Sequence, residues 1–388
     1  MSVNPHIEAA AAATTDAKII TNKAHRHLPF PDAAHLLNRE NMQRALDTIS
    51  NWPGYAPTPL HDLPEIAEIC GVARVVYKDE SSRMGLGAFK ALGGAYAVAD
   101  LAKQESARGG DVSALTVATA TDGNHGRSVA WGAQLAGCRA KIYIHQHVSK
   151  AREDAMKAFG ADVIRVNGNY ELSLAVCKDE AEENGWHIVS DTSWEGYVDV
   201  PRSIMAGYTV MGKEILDQLG DTTLTHAFLP VGVGGLAAGV AAPLWAHMGE
   251  NLCNLISVES VMSPCFAVSI DAQKPTLFDI TEETLMAGLS CGEVSVLAWE
   301  ILQPTLSHCM MISDKAVAPL MRWFHQHNPS IEAGECSASG LAGLLQAHRD
   351  PAKWQQLGFD ENSVVLLIGT EGATDPELYQ RIIDGEAA

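Results

Sequence analysis

Lys90 is the one charged residue in the run Gly87–Gly94, Gly-Ala-Phe-Lys-Ala-Leu-Gly-Gly. An ammonium set among apolar neighbours is either a helix-surface lysine or an amine kept neutral enough to act as a nucleophile, because poor solvation disfavours its charged form. Charge is crowded just upstream, at Lys78, Asp79, Glu80 and Arg83. Three glycine-rich turns, each behind an apolar run, supply further candidates: ATDGNHG (120–126), PVGVGGLAAG (230–239) and IGTEGATD (368–375). In the second, Gly232, Val233, Gly234, Gly235 and Leu236 open a helix, and their successive N–H groups would cradle an anion. The first places Asp122, Asn124 and His125 at a strand-to-helix turn, where they either cap the helix or face a ligand. Asp191 opens DTSWEGY (191–197), directly after the run Trp-His-Ile-Val-Ser.

These side chains need a frame, and from about Arg74 onward the sequence supplies one. Short β-rich runs (ARVVYK, ALTVATA, KIYIH, DVIRV, WHIVS, THAFLPV, LISVES, SVVLLIGT) alternate with helical stretches such as KAREDAMKAFG, ELSLAVCKDEAEE, IMAGYTVMGKEILDQL and LAAGVAAPLWAHM. That alternation predicts βαβ units, mostly parallel twisted sheets flanked by helices, and hence an α/β fold with ligands at the carboxyl ends of strands. The glycine turns sit at such ends. The 230–239 turn also nearly fits a dinucleotide fingerprint, Gly232-x-Gly234-x-x-Ala237. Glu259 at the end of the next strand stands where a ribose-binding acid would be. This loop alone predicts a phosphate without saying whose.

Composition narrows the classes. With 388 residues, 47% hydrophobic and 19% charged, the chain can bury a sizeable core and is long enough for two domains. A formal net charge of −20 argues against a nucleic-acid backbone or an anionic membrane as partner, though not against a small anion held by backbone amides. No run of about eighteen apolar residues is present. The first thirty residues carry an alanine tract with Glu8 and Asp16 but no basic start, and read as a mobile or dimer-contacting arm rather than a targeting peptide. Eight cysteines without metal-ligand spacing suggest reduced thiols in a cytoplasmic protein and no metal site.

Taken together, KDESSRMGLGAFKALGGAYA (78–97), ATDGNHGR (120–127), DTSWEGY, the GVGG loop, MAGLSCGE (286–293) and TEGATD (370–375) resemble the pyridoxal-phosphate enzymes of the tryptophan synthase β-subunit fold (fold type II). Within that group they are most similar to the diaminopropionate ammonia-lyases, over a span from about Gly54 to the C-terminus. The resemblance implies a homodimer whose large cofactor-binding domain comprises 1–89 (with the arm at 1–30) and 194–388, with a small domain, 90–193, inserted within it. It implies that Lys90 carries pyridoxal 5′-phosphate as a Schiff base, that Asn124 meets the ring hydroxyl, and that Gly232, Val233, Gly234, Gly235 and Leu236 hold the phosphate. It implies that Asp122 and Asp191 are catalytic acids or bases suited to a doubly cationic substrate, and that Cys265 and Cys291 are a bridge-capable pair. Two positions depart from the pattern. Gly369 stands where a hydroxyl for the pyridine nitrogen is expected, leaving Thr370, and Gly87 replaces an asparagine.

The expected activity is α,β-elimination of 2,3-diaminopropionate, D and L, to pyruvate and ammonia through a pyridoxal-phosphate aldimine and an aminoacrylate. A serine/threonine or 3-hydroxyaspartate dehydratase of the same fold is the first alternative. An NAD-dependent dehydrogenase using Gly232–Gly239 is the alternative from another class, and a binding protein without catalysis would have no use for Lys90.

Overall fold

The computed structural model describes residues 4–13, 18–31, 33, 35–121 and 123–387; Asp122 lies outside the described residues. Eleven strands are present among them: β1 (Lys18–Thr21), β2 (Leu60–Asp62), β3 (Arg74–Asp79), β4 (Thr116–Ala120), β5 (Arg139–His145), β6 (Asp162–Val166), β7 (His187–Ile188), β8 (His226–Pro230), β9 (Asn254–Ser260), β10 (Leu306–Ile312) and β11 (Val364–Gly369). They form a seven-stranded sheet ordered β1-β10-β9-β8-β11-β3-β2 and a four-stranded sheet ordered β6-β5-β4-β7. The small sheet is parallel throughout, and in the large one only the edge strands β1 and β2 run antiparallel.

The parallel strands read as unbroken apolar runs because both faces are covered. In β11, Val365 and Leu367 enter one core with Tyr77, Phe324 and Leu341, while Leu366 and Ile368 enter the other with Val76, Ile204 and Ala237. Strand periodicity of two thus feeds two opposed helical layers.

The helix Lys90–Ala107 packs against the helices Asn124–Ala136 and Asp199–Leu219, joining the surroundings of the two sheets. Of the segment expected to be a mobile or dimer-contacting arm, the described parts pack on the chain itself. The helix Pro5–Ala12 buries Ile7, Ala10 and Ala11 in the outer core, and β1 completes the edge of the large sheet against β10.

The charge crowded before Lys90 is internal. Lys78 is 0% exposed and donates to Glu214 Oε2 (2.7 Å), Gln218 Oε1 (2.9 Å) and Thr58 O (2.8 Å). Arg83, also fully buried, forks onto Glu80 (2.7 Å to each oxygen) and onto Glu214 (2.8 and 2.7 Å). Two cations and two carboxylates satisfy one another at the root of the loop that leads to Lys90.

Candidate active site

Five strand ends deliver the site. The loop after β3 ends at Lys90, the first residue of its helix. It is laced to the loop after β11, with Phe89 N donating to Thr370 O (2.9 Å) and Gly372 N to Gly87 O (2.9 Å). Gly87 has φ +74°, a left-handed conformation that asparagine also tolerates, so its replacement of asparagine leaves the backbone path open. From β4 the chain turns through Thr121, whose Oγ1 accepts from Gly123 N (3.0 Å) and Gly126 N (3.1 Å), and Asn124 then starts its helix. From β7 it enters the loop 191–197, folded back by Tyr197, whose hydroxyl donates to Ile188 O and accepts from Ser190 N, both at 2.9 Å.

Here Lys90 and Asp191 meet. Lys90 Nζ lies 2.5 Å from Asp191 Oδ2, with the two side chains 22% and 25% exposed. Burial alone would push the Lys90 amine down, but the Asp191 carboxylate outweighs it and holds the pKa well above the ordinary lysine value. Asp191 suffers the same burial in the opposite sense, yet the Lys90 ammonium holds its carboxyl well below the usual range. The expectation of a neutral Lys90 in an apolar setting is therefore corrected: its apolar neighbours are present, and an ion pair overrides them.

His125 backs the pair. Its Nε2 donates to Val189 O (2.8 Å), and its Nδ1 lies 3.9 Å from Asp191 Oδ2. Burial lowers its pKa, so the ring is a neutral imidazole.

After β8 the glycine loop closes against the same place. Gly234 has φ +96°, and a Cβ there would stand 2.6 Å from the Phe266 ring. Only glycine fits on both counts. Ser295 N donates to Val233 O (2.9 Å), and the Ser295 hydroxyl meets the Ser193 hydroxyl at 2.6 Å, which ties this loop to the one bearing Asp191. A Cβ on Gly235 would lie 3.7 Å from Asp191 O. Among the described residues the amides of Val233, Gly234 and Gly235 have no acceptor, and they point from the N-terminus of the helix Gly235–Met248. Such a row of bare donors beside a lysine amine fits a phosphorylated aldehyde.

Glu259 belongs to another task. It is 0% exposed and accepts from Phe266 N (2.7 Å) and Ala267 N (2.9 Å), capping the helix Cys265–Ala272. Burial pushes its carboxyl up to about 8. A carboxyl sealed on a helix end cannot reach a ribose, which removes the dinucleotide reading of this loop. Cys265 and Cys291 flank the same loop, with Cys265 Sγ 3.4 Å from Gly232 O.

At the end of β11, a side chain on Gly369 would collide with Tyr77, 2.1 Å from its Oη. That is why no hydroxyl stands there. Thr370 is buried with its Oγ1 3.3 Å from Ser337 Oγ, and the neighbouring Glu371 lies within electrostatic reach of Lys90. Burial and Glu371 together raise Glu335 to about 7.

Lys90, Asp191, the Gly232–Leu236 loop and Thr370 thus come from separate strand ends to one place, and Asn124 sits one residue before the His125 that backs Asp191. Sequence reasoning missed Tyr208, a fully buried neighbour of Lys90. Its one trace in the sequence is Gly93, whose missing side chain leaves room for the ring beside the helix.

Residues 52–369 match the family model described as pyridoxal-phosphate dependent enzyme. The chain is 37% identical over 352 residues to the diaminopropionate ammonia-lyase of Escherichia coli strain K12, covering 85% of this chain and 88% of that one. To the diaminopropionate ammonia-lyase of Salmonella typhimurium it is 34% identical over 381 residues, covering 90% and 94%. The crystal structure of the Escherichia coli enzyme in complex with an aminoacrylate-PLP azomethine reaction intermediate superposes with a TM-score of 0.86 at 35% identity, over 96% of this chain and 98% of that one.

Proposed function

The chain belongs to the pyridoxal-phosphate-dependent enzymes and, within them, to the diaminopropionate ammonia-lyases, and we propose that it converts both D- and L-2,3-diaminopropionate, with water, to pyruvate and ammonia. Its cofactor is pyridoxal 5′-phosphate, which when bound supplies an electron sink for the carbanion at the substrate Cα. The amides of Gly232, Val233, Gly234, Gly235 and Leu236 would hold the phosphate group, Asn124 would orient the ring through its hydroxyl, and Thr370 would offer its hydroxyl to the pyridine nitrogen.

The observation that carries this reading is the Lys90–Asp191 contact of 2.5 Å beside the bare-amide loop. In this structure the Lys90 ammonium stands in for the substrate ammonium that Asp191 would hold. With Lys90 taken up by the cofactor, Asp191 would lose this partner and be open to the substrate ammonium, and Lys90, displaced by the substrate amine, would serve as the base. Lys90 serves one face of the Cα plane. Asp122, two residues before Asn124 in sequence, serves the other. Asp191 orients the β-ammonium, whose charge in turn keeps both carboxylates ionised.

We also assign the chain to the cytoplasm, on its free thiols, and to a homodimer, with 90–193 as the smaller domain around the four-stranded sheet. Among the described residues no helix is long and apolar enough to cross a membrane.

The test is product analysis of the purified, cofactor-loaded protein. Pyruvate with both substrate nitrogens recovered as ammonia, from either enantiomer, is the expected result. Brisk turnover of serine with none of diaminopropionate overturns it.

A further inference from the structure

Tyr208, in the helix Asp199–Leu219, is 2% exposed, and its hydroxyl has no hydrogen-bond partner among the described residues. A buried hydroxyl in that condition is unfavourable, so its presence calls for a reason. The fold makes room for this ring twice. A Cβ on Gly93 would stand 2.3 Å from Tyr208 Cε1 and 2.6 Å from its Cζ, and one on Gly239 would stand 2.5 Å from Tyr208 Cβ. Phe89, the residue before Lys90, meets the ring edge-on at 4.9 Å between centroids. The phenol end therefore lies beside the first turn of the Lys90 helix, within electrostatic reach of both Lys90 and Asp191.

We propose that Tyr208 is a positioning residue for Lys90, donating a hydrogen bond from its hydroxyl to the Lys90 nitrogen when that nitrogen is a neutral amine. This rests on Lys90 being the amine that carries the cofactor. In the structure Lys90 is an ammonium held by Asp191, and in that state the Tyr208 hydroxyl is idle. The hydroxyl can therefore favour only a state in which Nζ presents a lone pair. Burial keeps Tyr208 a phenol across the neutral range, so it is an O–H donor and not a competing anion. The other titratable groups acting on Lys90 are Asp191, His125, Cys291 and Glu371. Asp191 and Glu371 stabilise the ammonium, whereas Tyr208 brings a neutral O–H donor. A hydrogen bond that the neutral amine can accept and the ammonium cannot lowers the pKa of Lys90, so without it a higher pH is needed to free the amine that attacks a carbonyl carbon.

Tyr208→Phe keeps the ring in its slot and removes one oxygen. The full chain is stripped of cofactor and reloaded with pyridoxal phosphate, and the growth of visible absorbance is followed across pH. Far-UV circular dichroism and melting temperature, both expected to match the parent, report the fold. The pH at which capture levels off should lie higher in the variant by about one unit, the scale of one hydrogen bond. A parent-like profile, a change in rate without a move of that pH, or a move to lower pH overturns the proposal. Borohydride trapping with peptide mapping is done on the same samples. A label away from Lys90 overturns the assignment of Lys90 itself, whereas a label on Lys90 with an unaltered profile overturns only the role of Tyr208.

Discussion

Asp191 Oδ2 and Lys90 Nζ are 2.5 Å apart although 101 positions separate them in the chain. One carboxylate thus sets the charge state of the lysine that we propose carries the cofactor. On that proposal it must release the lysine before chemistry begins.

Enantiomer selectivity follows from placing bases on two faces. Asp122→Asn keeps the shape of the side chain but cannot take a proton, and should depress kcat/KM for one enantiomer of diaminopropionate far more than for the other. Asp191→Asn should depress both, since it removes the group that orients the β-ammonium. Steady-state assays with the separate D and L substrates decide the matter. Equal losses in Asp122→Asn would remove the two-base scheme.

Gly234→Ala tests the cradle. Its φ of +96° disfavours any side chain, and the added carbon would stand 2.6 Å from Phe266. We expect weakened retention of pyridoxal phosphate in equilibrium dialysis, by about tenfold or more if the amides shift together. Shortening the opposing ring with Phe266→Leu should restore part of the loss. Undiminished retention by the single variant would show that these amides do not bear the phosphate.

Arg83→Met should destabilise without touching the chemistry. It leaves Glu80 and Glu214 sharing a buried site with only Lys78 as counter-ion. Breaking a buried pair from one side costs about 3–5 kcal/mol. Urea denaturation measures the loss; the folded fraction should still be labelled by borohydride at Lys90.

Glu259 gives stability a pH dependence of unusual sign. Its folded pKa, about 8, lies above the ordinary carboxyl value, so the native chain keeps a proton that the unfolded chain has lost. This contribution is full at acid pH. It declines as pH rises from about 4.3, by up to about 1.4 kcal/mol per unit, until the folded group itself ionises near 8. Glu259→Gln should flatten that decline between mildly acidic and mildly alkaline pH, read from denaturation midpoints. Parallel slopes in variant and parent would refute it.

What the sequence determined was whatever depends on near neighbours. Alternating apolar runs and helical stretches marked the parallel strands, because strand and helix periods and glycine turns are set within a few residues. The turns behind β4, β8 and β11 were legible for the same reason, as were Lys90 and Asp191 as candidates. Tertiary structure decided what those candidates touch. The apolar neighbours of Lys90 pointed to a neutral amine, and only folding brought up the Asp191 carboxylate that charges it. Glu259 had the spacing of a ribose acid until the fold sealed it over the helix at Cys265. Tyr208 carried no local mark, because the slot that admits it is cut by glycines on two other helices. Coulomb energy, desolvation and close packing depend on distance in space, and residues far apart in a chain acquire that distance only when it folds.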